Sequence, residues 1–415
     1  MTMLRSDVQQ SSSVNVSASD HASRHILFKV LKHLSNAGLS VSDSTEGTVF
    51  FGDKQASLQA SINVHNPLFY KRLLTDGSIG AGEAYMEGWW DSPNLTNVVR
   101  VLAKNLTTLD KLEAKMGWMS RISEQIGHLL RKNTIKNARK NISAHYDLGN
   151  DLYRHFLDPN MLYSSAIYLN KNDTLDQAQW NKMDRLCQKL KLTEDDHLLE
   201  IGTGWGGMAI HAAKYYGCRV TTTTISEQQY LWAKERVEKE GLSDRITLLM
   251  DDYRDLTGQY DKLVSVEMIE AVGKQYLKTY IEKCQSLLKP TGLMAIQAIT
   301  IADQRYDSYS RGVDFIQKHI FPGGFLPSIT VLLENLTQHS DFVMRDIKDI
   351  GLDYAKTLED WHQQFNENAV ELEKYGYDER FMRMWRFYFA YCEGGFLERT
   401  ISTIQFVASR PQWRE

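Results

Sequence analysis

Leu198-Leu199-Glu200-Ile201-Gly202-Thr203-Gly204-Trp205-Gly206-Gly207 decides how this chain is read. A short apolar run ends in an acid, then come a glycine-rich turn and a helix-like stretch from Met208 to Tyr216. Strand, tight turn and helix N-terminus in that order make the place where an α/β sheet holds a nucleotide-like ligand. The spacing is acid-x-Gly-x-Gly-x-Gly and differs from the Gly-x-Gly-x-x-Gly of dinucleotide enzymes. An acid ahead of the first glycine can hold a charged or hydroxylated group, and the glycines let backbone approach it closely. S-adenosylmethionine (SAM) has a sulfonium, an amino acid end and a ribose but no pyrophosphate, so it suits this turn better than a dinucleotide does. The competing reading is a turn that merely packs helix on strand.

The flanking sequence extends the same pattern. Arg219 to Thr224 is β-branched and reads as a second strand. Ser226 then caps a helix running to about Glu240. Ile246 to Met250 and Lys262 to Val266 read as third and fourth strands, Gly273 to Leu288 as helical, Pro290-Thr291-Gly292 as a turn and Leu293 to Ile299 as a fifth strand. The expected fold class is α/β, a doubly wound Rossmann-like parallel sheet with its ligand at the strands' C-terminal ends. Glu200, Thr224, Asp251, Asp252, Glu267, Glu270 and Gln297 lie at or near those ends.

Outside this unit the sequence divides further. At 415 residues the chain is long enough for two domains, and 42% hydrophobic residues fill two cores. A net charge of −4 gives no pull towards nucleic acid. Cys187, Cys218, Cys284 and Cys392 are scattered without metal or redox spacing and read as reduced cytosolic thiols. No apolar run is long enough to span a membrane. Residues 1–25 are polar and serine-rich and read as a disordered tail, with a transit peptide as the alternative. Residues 26–106 read as a small α+β domain with strands at Thr48 to Asp53 and Ala56 to Val64 and a helix opening at Asn66-Pro67. Glycines and aromatics crowd its segment Gly77 to Asp91. It lacks acid-base clustering, so docking or structural support is its expected role. Residues 143–415, which hold the glycine turn, are the expected catalytic domain.

Residues 107–142 link the two. Met119, Ile122, Ile126, Leu129 and Leu130 recur at helical steps, and Arg121, Arg131, Lys132, Lys136, Arg139 and Lys140 make the remainder basic. Such a helix either lies on an anionic membrane surface or packs its stripe on protein as an interdomain strut.

The motifs together resemble the cyclopropane fatty acid synthases, with the mycolic acid cyclopropane synthases as relatives. The resemblance runs from about Val49 to Pro411. It is carried by His145 to Asn150, Leu162-Tyr163-Ser164-Ser165-Ala166, Glu200 to Gly207, Thr224 to Gln229, Asp252 to Asp255, Val264 to Gly273 and Phe315 to Gly324. Gly77 to Asp91 also resembles the extra domain of the full-length bacterial and plant enzymes. The implied activity is methylene transfer from SAM to the double bond of unsaturated acyl chains in membrane phospholipids. Such an alkene attack leaves a carbocation, so the enzyme needs a dry tunnel, aromatic faces and a base.

In the family a bound bicarbonate ion serves as that base, and motif by motif its holders map onto Ser165, Glu270, Gln297, the backbone of Ile299, and Tyr354. Serine replaces the usual bacterial cysteine at Ser165, and glutamine replaces histidine at Gln297. Both still donate hydrogen bonds, but neither is a base. For SAM, Tyr146 and Tyr163 map to the sulfonium side, and Glu200, Gly202, Gly204 and Gly206 to the turn. Thr224, Ile225 and Gln229 follow the second strand, and Asp251, Asp252 and Tyr253 flank the adenine.

The expected enzyme is cytoplasmic, peripheral on the inner membrane surface and a homodimer, with unsaturated membrane phospholipid and an anionic membrane surface as partners and no nucleic acid. Trp89 and Trp90 would aid membrane contact, and the acyl chain would enter beside Phe321 to Phe325. Alternatives are methyl transfer without ring closure (a methyl-branched, methylene or furan-precursor product), a catalytically silent lipid-binding protein, or a small-molecule methyltransferase.

Overall fold

A computed structural model describes residues 18–109 and 149–415. Residues 110–142 of the expected linker, with all of its basic stripe, and Tyr146 therefore lie outside the described residues. The described residues open with helix α1 (Ala18–Leu31), strands β1 (Gly38–Asp43), β2 (Gly47–Gly52) and β3 (Gln59–Val64), helix α2 (Leu68–Met86), the short β4 (Trp90–Asp91) and helix α3 (Leu95–Lys104). Its sheet is ordered β2-β1-β3-β4, with β1 antiparallel to β2 and parallel to β3. The two expected strands are β2 and β3, while β1 has no counterpart in the sequence reading.

The tail expected through residue 25 is helical from Ala18 onwards. Partners distant in sequence hold its polar residues. Arg24 pairs with Asp43 at 2.7 Å and Glu46 at 3.1 Å, while Leu27, Phe28 and Leu31 enter the core. Trp90 is only 2% exposed and donates its indole N–H to Ala81 O at 2.9 Å. That corrects the expectation of a membrane-facing aromatic there, because the ring is core.

The second unit carries helix α4 (Leu175–Lys189), β5 (His197–Ile201), α5 (Gly207–Tyr216), β6 (Arg219–Thr223), α6 (Glu227–Lys239), β7 (Ile246–Leu249), β8 (Tyr260–Val266), α7 (Leu277–Leu287) and β9 (Leu288–Ile301). It ends with α8 (Ile329–His339), β10 (Val343–Asp349), α9 (Gly351–Glu367), α10 (Glu379–Leu397) and β11 (Ile401–Ser409). Seven strands run in the order β10-β11-β9-β8-β5-β6-β7, parallel from β9 to β7 and antiparallel at β11 and β10. Leu186, Met208, Ala212 and Val237 pack one face, and Tyr280, Ile281, Leu332 and Leu336 the other. The chain is thus the doubly wound α/β architecture read from the sequence.

All five expected strands are present, and Ser226 caps α6 by accepting from Gln229 N at 3.3 Å. The turn expected at Pro290 to Gly292 is absorbed into β9. Tyr260 faces Leu288 and Lys262 faces Leu293, so the intervening residues bulge out of register.

The two units share one apolar cluster. Helix α10 takes the N-terminal unit along its length: Arg383 donates to Trp90 O at 2.9 Å, Thr96 to Glu393 at 2.7 Å, and Arg100 pairs with Glu398 at 2.8 Å. A Cβ on Gly82 would meet the Phe315 ring at 2.3 Å, so glycine sets how closely α2 approaches.

Candidate active site

Strand β5 delivers the glycine turn between β6 and β8, where the strand order reverses and α/β sheets open a crevice. Gly202, Gly204 and Gly206 have φ of 104°, 53° and 89°, a backbone path that strains any residue with a side chain. Gly202 and Gly204 border a cavity of about 1720 Å³. Gly206 instead caps α5, and a Cβ there would sit 3.1 Å from Ala233 Cβ on α6.

The cavity wall holds most of the expected SAM contacts. Glu200, Thr224, Ile225, Gln229, Asp251, Asp252, Tyr253 and Tyr163 all border it. Thr224 donates to Gln229 Oε1 at 2.8 Å, which fixes both side chains. Arg254 grips Asp252 at 2.7 and 2.6 Å, while the side chain of Asp251 is exposed. Tyr163 donates its hydroxyl to Tyr388 at 3.0 Å. Glu200 is buried and accepts from Thr222 Oγ1 at 2.6 Å. Burial pushes its carboxyl up to about 8, against the pull of Thr222 and Lys182.

A pair of carboxylates follows β8. Glu270 accepts from Ile299 N at 2.5 Å through Oε1, and its Oε2 is buried with no hydrogen-bond partner among the described residues. Burial, then the charge of Glu267, raises its carboxyl to about 8. Glu267 is the centre of the site. Its Oε1 accepts from Ser165 N at 2.9 Å and Gln297 Nε2 at 2.8 Å, and its Oε2 from the Tyr354 hydroxyl at 2.9 Å. Glu267, Glu270, Ile299 and Tyr354 border the cavity, and Ser165 and Gln297 stand behind Glu267.

Lys182 was not among the expected site residues. Its side chain borders the cavity, buried, and donates to Ser164 Oγ at 2.6 Å. Burial brings its ammonium down to about 8, opposed by the charges of Glu267, Asp158 and Glu200. The signal for it lay in helix spacing, because Leu175, Ala178, Lys182 and Leu186 share one face. A lysine on an apolar stripe needs a buried partner. Phe321, Pro322, Gly324 and Phe325 also border the cavity, at the expected acyl entry.

Known proteins carry the same architecture. Residues 133–406 match the family described as mycolic acid cyclopropane synthetase. The chain belongs to that family. It is 38% identical over 382 residues to the cyclopropane-fatty-acyl-phospholipid synthase of Escherichia coli, covering 91% of each chain. It is also 38% identical over 361 residues to the tuberculostearic acid methyltransferase UfaA1 of Mycobacterium tuberculosis, covering 84% of this chain and 83% of that one. Among solved structures, mycolic acid cyclopropane synthase CmaA1 complexed with SAH and CTAB superposes with a TM-score of 0.62 at 28% identity, covering 65% of this chain and 98% of that one.

The chain is accordingly a SAM-dependent methyltransferase. Its residues fit SAM: a left-handed glycine turn, a buried acid beside it and a polar wall from Thr224 to Tyr253 open on one cavity. They do not fit a bicarbonate ion held as the family resemblance implies. Ser165 N, Gln297 Nε2 and Tyr354 OH already donate to Glu267, and Ile299 N to Glu270. The Ser165 hydroxyl turns away and donates to Ala166 O at 3.0 Å.

Proposed function

We propose that this enzyme transfers a methylene unit from SAM to the double bond of an unsaturated acyl chain of a membrane phospholipid, closing a cyclopropane. The observation that carries this reading is the continuity of the cavity. One space joins the glycine turn and the Glu267–Glu270 pair to an apolar lining that includes Leu27, Leu74, Val98, Leu102, Phe325 and Leu326. When bound, SAM supplies a methyl group on a positively charged sulfur. The chain's residues supply the rest: an apolar sleeve excludes water, and the rings of Tyr163, Phe321, Tyr354, Tyr388 and Phe396 line the cavity. Aromatic faces in a desolvated site stabilise a developing cation.

On this reading the acyl chain is drawn from an anionic membrane surface past Phe321 and Phe325. Among the described residues no helix is long and apolar enough to cross a membrane. Arg131, Lys132, Lys136 and Lys140 are the proposed membrane contact, and they lie outside the described residues. The N-terminal unit serves as a lipid-docking wall, with pairing of two copies as its second role.

A second reading, methyl transfer without ring closure, is favoured by the 38% identity to a tuberculostearic acid methyltransferase. Incubating the protein with methyl-labelled SAM and unsaturated phospholipid vesicles tests the acyl-chain alkylation that both readings share. Labelled acyl chains heavier by one methylene unit support lipid alkylation. SAM consumed with no label in any acyl chain contradicts it.

A further inference from the structure

Glu267 has a backbone φ of 50° in the left-handed region, which favours glycine. A residue with a side chain persists there only where its surroundings over-determine it, and such positions cluster at functional sites. Here the surroundings are explicit. Glu267 N donates to Gln297 O at 2.8 Å, while Gln297, Ser165 and Tyr354 converge on its carboxylate. Gln405, itself fully buried, donates to Gln297 Oε1 at 2.9 Å and so aims the Gln297 NH₂ at Glu267. The donors expected around an ion surround a side chain instead, and that side chain borders the cavity.

We infer that the Glu267 carboxylate is this enzyme's proton acceptor, built into the chain where the family resemblance implies a bound bicarbonate. The inference rests on the methylene-transfer reading above. The alkene π pair forms a carbon–carbon bond to the methyl carbon of SAM, and the carbon–sulfur bond breaks with its pair left on sulfur. A cation remains on the neighbouring chain carbon. Glu267 takes a proton from the transferred methyl, and the released C–H pair closes the third ring bond. The carboxyl then returns the proton to solvent as product leaves. Glu270 completes the arrangement, because two adjacent half-buried carboxyls on one cavity wall hold one proton between them and leave one acceptor free. Ser165, Gln297 and Gln405 are positioning residues that act through Glu267.

The test uses the full-length protein with SAM and vesicles of a mono-unsaturated anionic phospholipid, in buffer stripped of carbon dioxide. Wild type should turn over at the same rate, within about twofold, with or without millimolar bicarbonate. Glu267→Gly suits the local φ, and in stripped buffer it should fall by roughly 10²-fold or more, the usual contribution of a general base. Added bicarbonate or formate should restore part of that rate, and SAM affinity should not change. Glu267→Gln keeps the shape, removes the charge and leaves no room, so it should be slow and unrescued. A wild type that stops in stripped buffer and recovers with bicarbonate overturns the inference, as does a Glu267→Gly variant that needs no anion. A wild type that alkylates no acyl chain at either bicarbonate level overturns the function reading itself.

Discussion

Tyr354 and Glu267 lie 87 residues apart in the chain and meet at 2.9 Å, hydroxyl to carboxylate. Helix α9 brings the tyrosine and the turn after β8 brings the acid, so the contact ties the C-terminal helices to the edge of the SAM crevice. Tyr354 also stacks on Phe396 with centroids 4.6 Å apart, which holds its ring in place.

Tyr354→Phe should keep that stack and remove one donor from Glu267. A hydrogen bond to a charged group contributes about 1.5–3 kcal/mol, so turnover should fall by an order of magnitude or more. Losing a donor to the ionised form raises a carboxyl's pKa. The acidic limb of the kcat–pH profile should therefore move to higher pH. A lower rate with an unmoved profile would make the tyrosine purely structural.

Glu267 and Glu270 should respond differently to the same substitution. With its carboxyl raised to about 8, Glu270 is protonated near neutrality, and glutamine imitates that form. Glu270→Gln should keep activity within about tenfold, while Glu267→Gln loses roughly 10²–10⁴-fold. Both should bind SAM normally by calorimetry. Equal losses would mean that the two carboxyls share the base role.

SAM binding should release a proton. Glu200 is raised to about 8 in the SAM-free protein, and a cationic ligand beside it favours the ionised form. Affinity should rise from about pH 6.5 to about pH 8.5, with heats that depend on the buffer's ionisation enthalpy. Glu200→Gln should abolish that dependence. A pH-independent affinity in wild type would place the acid away from the ligand's charge.

Stability of the SAM-free protein should decline as pH climbs towards 8. Glu200 and Glu270 stay protonated in the folded state up to about 8 but ionise near 4.5 when unfolded, so the native state binds more protons in between. Buried His211 and half-buried His362, both brought down to about 4, act with the opposite sign, but only up to their ordinary value of 6.5. Above that the carboxyls govern, each contributing at most about 2 kcal/mol. Urea unfolding at about pH 6.5 and about pH 8 reads the difference, which Glu270→Gln should shrink. Equal stability at both values would contradict the raised carboxyls.

The fold was legible where local signals agree. The β5 turn needs glycine at three left-handed positions, and a β-branched run and a serine cap follow it, so the crevice could be placed from sequence. Strand β10 was not legible because its residues are mostly exposed at a sheet edge and carry no apolar alternation. The polar start of α1 gave no helix signal because Arg24 is satisfied by Asp43 on β1. Most of the residues that the family resemblance names for SAM border one cavity. The role of Glu267 was not legible, because it depends on Ser165, Gln297 and Tyr354 converging from distant segments. Local sequence shows an acid after a strand, and only the fold shows what surrounds it.

The most direct measurement is the NMR spectrum of phospholipid recovered after reaction with SAM labelled in its methyl carbon. The account predicts the label in a strained three-membered ring, with the characteristic upfield methylene protons and no remaining alkene at that position. Label in a methyl branch or an exocyclic methylene would contradict ring closure, and label absent from every acyl chain would contradict the account as a whole.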